Sequence, residues 1–138
     1  MAFLLDTNSL SEIVKPIPHQ AVVQWFGQTE ESDQFISALS IGEFQKGISI
    51  IPASRRRSEA EKWFDGLIER YEQRVLPFTI ITAKLWGSLV ADLRRQGKTC
   101  PIIDGLIAAT ALEHDLTIIT RNTVDFTNTG AKVLDIWN

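Results

Sequence analysis

Short apolar runs alternate with helical periods along this whole chain, and that alternation constrains the fold more than any other feature. "AFLL", "DQFISAL", "RVLPF", "LTIIT" and "AKVLDIW" read as strands. Between them, helices are expected in "TNSLSEIV", "HQAVVQWFGQ", a segment starting at Ser40, a longer one starting at Ser54 or Ser58, "TAKLWGSLVADLRRQG" and "IIDGLIAATALEHD". The helical face is clearest where Ala60, Trp63, Phe64, Leu67, Ile68 and Tyr71 recur at one spacing, and again where Ala83, Trp86, Leu89, Val90 and Leu93 do. Pro16 and Pro18 close the first helix, Ser9 and Glu12 stand at capping-box spacing within it, and Gly97 ends the fifth. Strands alternating with helices predict the α/β class, with a central, mostly parallel sheet covered on both faces in three layers.

The 138 residues fit one domain spanning positions 1–138, large enough to bury an apolar core. No repeat or low-complexity tract points to a solenoid or to disorder. The amino terminus has no basic, apolar and small-residue leader, and no run approaches about 18 apolar residues, so neither export nor membrane spanning is expected. A single cysteine, Cys100, cannot form an internal disulfide and suits the reducing cytoplasm. Neither His19 nor His114 sits in a context that would activate it as a nucleophile.

A formal net charge of -3 excludes a protein that holds nucleic acid simply by being basic. Any polyanion contact must be local. Arg55, Arg56 and Arg57 in "SRRRSEAEK" form one candidate patch, and Arg94, Arg95 and Lys98 in "DLRRQGK" another.

Parallel sheets bind ligands outside the carboxyl ends of their strands, near the point where strand order reverses. Asp6 in "FLLDTNSL" closes the first strand at that edge. It would also serve as a helix cap, but Thr7, Asn8 and Ser9 are already available for capping. Glu43 in "SIGEF" lies three residues after Ser40, again capping-box spacing, and points away from the stripe of Ile41, Phe44, Ile48 and Ile51. A solvated cap and a chemical role are both open for it.

Asp104 opens a helix that is apolar almost all round, where an unpaired carboxylate would cost several kcal/mol, so a cationic partner is expected to face it. The alternative is an acid placed in the first turn for the helix dipole, favoured by roughly 0.3 to 1 kcal/mol. In "IITRNTVDF" a strand again ends in polar residues: Thr120, Arg121, Asn122 and Asp125. Either Asn122 or Asp125 would supply an oxygen to a shared site, or both are turn formers.

"LLDTNSLSE", "SALSIGEFQKGI", "RVLPF", "IIDGLIAATALEHDLTIITRN" and "DF", taken in order over nearly the whole chain, resemble the PIN domains, specifically the VapC/FitB-type toxins of bacterial type II toxin-antitoxin pairs. The resemblance implies an α/β/α fold in which Asp6, Glu43 and Asp104 hold Mg²⁺, or Mn²⁺ in its place, and act in cleaving RNA. The family's fourth acidic position falls at Asn122, with Asp125 three residues on as the other source of a ligand oxygen. Thr120 resembles the family hydroxyl that orients the first aspartate, with Thr7 and Asn8 in support. The resemblance also implies a homodimer and a small antitoxin partner. Arg121 and Arg55, Arg56 and Arg57 are the cations expected to steer the RNA.

Elementary electrostatics agrees with such a site. Two carboxylates 4 Å apart repel by about 1 kcal/mol in water and about 4 at an effective dielectric near 20. A hard divalent cation reverses that sign, and Mg²⁺ is satisfied by one or two carboxylates, water and phosphate oxygens. A haloacid-dehalogenase-type phosphatase is disfavoured because it needs an aspartate at position 8, where the chain has Asn8. A non-catalytic PIN relative would have lost the acids, and Asp6, Glu43 and Asp104 are all present.

Overall fold

The computed structural model describes residues 1–138. Its elements are β1 (Phe3–Leu5), α1 (Thr7–Glu12), α2 (Gln20–Gln28), β2 (Gln34–Ser37), α3 (Ala38–Ser49), α4 (Arg55–Tyr71), β3 (Val75–Leu76), α5 (Ile80–Arg95), α6 (Ile102–His114), β4 (Thr117–Ile119) and β5 (Lys132–Leu134). The five strands form one sheet in the order β3-β2-β1-β4-β5, and every neighbouring pair is parallel. The chain therefore builds outward from β1 to β3 and returns to lay β4 on the other side of β1. Strand order reverses between β1 and β4, whose register pairs Leu5 with Ile119.

Alternation along the strands divides the core into two layers. Leu5, Ile36 and Ile119 face a cluster with Leu10 of α1, Val22 of α2, Ile48 of α3, and Phe64, Leu67 and Tyr71 of α4. Leu4 and Ile118 face Leu89 and Leu93 of α5 and Ile107, Ala108 and Ala111 of α6. Helices thus cover both faces of the sheet, as the apolar runs predict. No helix is long and apolar enough to cross a membrane.

Several boundaries differ from the sequence expectation. Strand β2 stops at Ser37, and Ala38 and Leu39 belong to α3, because the Ser37 hydroxyl accepts the Leu39 N–H at 3.1 Å and caps the helix. Ser40 lies inside α3, buried, with its hydroxyl unpartnered, so the Ser40–Glu43 capping box does not form. The Ser9–Glu12 box does not form either: Asp6 caps α1, and Glu12 turns into the core.

Of the two candidate starts for α4, Ser54 is the cap, accepting the Arg57 N–H at 3.2 Å. Helix α5 begins two residues before "TAKLW", because Thr79 and Thr82 make a capping box. It ends where expected. Gly97 takes φ +69, and Lys98 N donates to Leu93 O at 2.8 Å, closing a Schellman turn.

Candidate active site

Asp6 stands at the reversal point because β1 ends at Leu5, and its backbone N–H still donates to Ile119 O of β4 at 3.0 Å. Its two carboxylate oxygens have different partners. Oδ1 accepts from Thr7 N at 2.9 Å, which is the cap of α1. Oδ2 accepts from the Thr120 hydroxyl at 2.8 Å, just beyond β4. The Asn8 amide donates to Asp6 Oδ2 at 3.4 Å and to Thr120 Oγ1 at 3.2 Å, while its oxygen accepts from Arg121 N at 3.2 Å. Asp6 is therefore a cap and something more: β1, α1 and β4 together fix its orientation. Ser9 contributes a link that sequence reasoning missed, its hydroxyl donating to the Asp6 carbonyl at 2.7 Å.

Burial is the largest influence on Asp6 and raises its pKa above the ordinary 3.8 against the pull of Thr120 and Thr7, with the Asp125 charge adding to the rise. Glu43 lies on the exposed side of α3, yet burial of its carboxyl and then the Asp6 charge push its pKa up, with Lys46 opposing. Asp104, in the first turn of α6, rises to about 6 from 3.8 through burial and then the charges of Asp6, Asp125 and Glu43. The helix dipole at that turn favours a carboxylate. Burial, and then the three neighbouring carboxylates, overcome it.

The cationic partner expected for Asp104 is not there. None of Asp6, Glu43, Asp104 and Asp125 forms an ion pair. Acids from β1, α3, α6 and the turn Thr123–Phe126 instead influence one another. Of the two candidates for a fourth oxygen, Asp125 carries charge that reaches Asp6 and Asp104, whereas exposed Asn122 binds through its backbone, donating to Thr120 Oγ1 at 3.1 Å.

No three His, Cys, Asp or Glu side chains are grouped tightly enough to grip an ion directly among them. Unpaired carboxylates repel and splay apart. Mg²⁺ keeps several waters and needs only one or two direct carboxylates, so this open, all-oxygen, uncompensated set fits it.

Asp104 is held by a close approach of α5 to α6. A Cβ on Gly105 would come within 3.1 Å of Cys100 Sγ and 3.2 Å of Trp86 Nε1. Cys100 thus packs beside the site, and burial pushes its thiol up, which keeps it a poor nucleophile.

The predicted cations separate into two groups. Arg55 pairs with Glu59 at 3.0 Å and Arg57 with Glu61 at 3.1 Å along one exposed helix face. Arg56 and Arg121 have no acidic partner, while in the second patch Arg95 pairs with Asp92 and Lys98 donates to Asn128.

The PIN domain family model matches residues 3–132. The chain is a PIN domain. It is 32% identical to the VapC ribonuclease Y4jK of Sinorhizobium fredii, with 97% of this chain and 96% of that protein covered. It is 30% identical to the toxin FitB of Neisseria gonorrhoeae, with 98% of each covered. The crystal structure of FitAcB from Neisseria gonorrhoeae superposes on this PIN domain with a TM-score of 0.93 at 29% identity, over 99% of both chains. The α/β/α architecture predicted from the apolar runs is that of the family.

Proposed function

We propose that this PIN domain is the toxin of a type II toxin-antitoxin pair and acts in the cytoplasm as a Mg²⁺-dependent endoribonuclease. One observation carries the reading: four carboxylates, brought by the sheet from positions 6, 43, 104 and 125, influence one another at the strand reversal with no cation paired to them. The full-length similarity to a VapC ribonuclease and to FitB supports it.

Asp6, Asp104 and Glu43 would hold the ion, with Asp125 in preference to Asn122 completing the set. Thr120, Asn8 and Thr7 fix the Asp6 carboxylate. Mg²⁺, with Mn²⁺ as a substitute, would offset the negative charge that develops on the phosphoryl and leaving oxygens. A carboxylate of the set not engaged by the ion would take a proton from the attacking water. In-line attack on phosphorus leaves a 5′ phosphate and a 3′ hydroxyl.

The antitoxin partner fits two features of the surface. Between α1 and α4 a 270 Å³ groove, with Leu10, Ile13, Trp63 and Leu67 on its walls and Lys62 and Arg70 at its sides, suits an amphipathic helix. An arginine from that partner would satisfy the uncompensated acids in place of metal. The protein would act as a homodimer, for which exposed Phe78, Ile80 and Ile81 at the start of α5 offer an apolar face.

The test is cleavage of single-stranded RNA by the purified protein in Mg²⁺ and in excess chelator, with the new ends mapped. Cleavage leaving 5′ phosphates, abolished by chelator and by Asp104→Asn, is expected. RNA left intact in both Mg²⁺ and Mn²⁺ refutes the reading.

A further inference from the structure

The strand expected in "AKVLDIW" ends at Leu134, and beyond it Trp137 packs against Arg121, the residue that follows Thr120. Trp137 is 8% exposed, and its indole N–H donates to Glu12 Oε1 at 3.1 Å. Glu12 is itself 5% exposed and held by Lys15 Nζ at 3.0 Å and His19 N at 3.1 Å. The Arg121 guanidinium carbon lies 5.7 Å from the centre of the Trp137 ring. At the other end, Arg121 N donates to Asn8 Oδ1, and the amide of the same Asn8 holds both Asp6 and Thr120. The arginine is thus fixed at its backbone by residues that orient Asp6, and at its tip by the indole.

The partner on that tip matters. Arg55, Arg57, Arg70, Arg74 and Arg95 all give guanidinium N–H groups to carboxylates. Arg121 instead rests on an aromatic face, which attracts the cation without consuming its N–H donors. A guanidinium presented this way keeps its fork free for a phosphate.

We infer that Trp137 is a positioning residue: anchored by Glu12, it holds the guanidinium of Arg121, whose backbone adjoins the residues that orient Asp6, so that the arginine takes a backbone phosphate of single-stranded RNA next to the one cleaved. The inference rests on the ribonuclease reading and adds to it the device that brings a polyanion to an acidic site. Mg²⁺ would offset the carboxylates at the phosphate cleaved, and a fixed arginine would hold the phosphate beside it.

A double-mutant cycle on cleavage tests it, using a fluorescein-labelled RNA of mixed sequence, about 12 nucleotides long, in Mg²⁺. Arg121→Ala raises KM roughly tenfold with little change in kcat, and lowers the dependence of log KM on log salt by about 1. Trp137→Leu raises KM severalfold in the parent background and has no further effect on top of Arg121→Ala. Trp137→Phe, which keeps an aromatic face, recovers most of the loss.

Should Trp137→Leu fail to fold, the cycle with Glu12→Gln, which loosens the ring without removing it, decides in the same way. KM effects that multiply in the double variant, or an unchanged KM for Arg121→Ala, overturn the inference while leaving the nuclease reading standing. A parent protein that leaves the RNA intact overturns both.

Discussion

Asp6 and Glu12 are six residues apart, at opposite ends of α1, and almost equally buried, at 6% and 5% exposure. Their pKa values move in opposite directions. Glu12 is drawn down to about 2 from 4.5 by Lys15, then by the Trp137 and His19 N–H groups. Asp6 is raised, because the Thr120 hydroxyl and the Thr7 N–H do not offset its burial and its neighbours include Asp125.

Burial alone therefore does not mark a functional acid. Glu12 is surrounded by donors and ties the chain's end to its first helix. Asp6 is held firmly but left uncompensated, as the proposed metal-holding role requires.

Exchanging the two acids for neutral isosteres should separate these roles most sharply. Asp6→Asn is expected to reduce RNA cleavage by at least about 100-fold, since even outer-shell changes around a metal cost 10- to 100-fold. Its melting temperature in chelator should hold or rise as repulsion is relieved. A fall of many degrees in differential scanning calorimetry would make Asp6 a structural acid like Glu12. Next in size, Thr120→Val should lower cleavage about tenfold by freeing the Asp6 carboxylate, with metal affinity weakened in parallel when read by isothermal titration of Mn²⁺.

The pH dependence of stability should show the same contrast with opposite signs. Asp104 binds its proton more tightly in the folded state, so its effect on the metal-free protein is most favourable below pH 3.8 and is lost as pH rises through about 6. Glu12 binds its proton less tightly when folded, so its stabilisation is present above pH 4.5 and lost as pH falls toward 2. Chemical denaturation in chelator across pH 3 to 7 should find the first slope flattened in Asp104→Asn and the second in Glu12→Gln. The smallest effect is expected at Arg55 and Arg57. Already paired with Glu59 and Glu61, they should change RNA affinity less than about twofold when replaced by Ala, as measured by fluorescence anisotropy.

Much of the fold was legible because buried strands leave apolar runs and their crossover helices leave amphipathic ones; the layering of Leu4 against Leu5 follows from strand alternation. Asp6 was legible for a related reason, as a carboxylate at a strand end where parallel sheets bind ligands. Helix starts were less so: "SALS" holds two serines, and only the backbone shows that Ser37 rather than Ser40 caps α3.

Glu43 was ambiguous because helical spacing shows which way a side chain leaves the axis, not what another element brings to meet it. For Asp104 neither half of the expectation holds: the first turn of α6 is half-exposed rather than buried, with Ile102 in solvent, and the expected counter-charge is replaced by further acids. The Glu12–Trp137 bond joins residues 125 apart and leaves no local trace.

The central position of β1 has a consequence for how such a protein is made. Residue 6 leaves the ribosome well before residue 120, whose hydroxyl orients it, and that pairing waits until β4 docks beside β1. A growing chain therefore carries a solvated, unaimed aspartate until residue 120 has emerged. The orientation of Asp6 is thus a property of the folded sheet as a whole and is absent from any stretch of the chain that lacks β4.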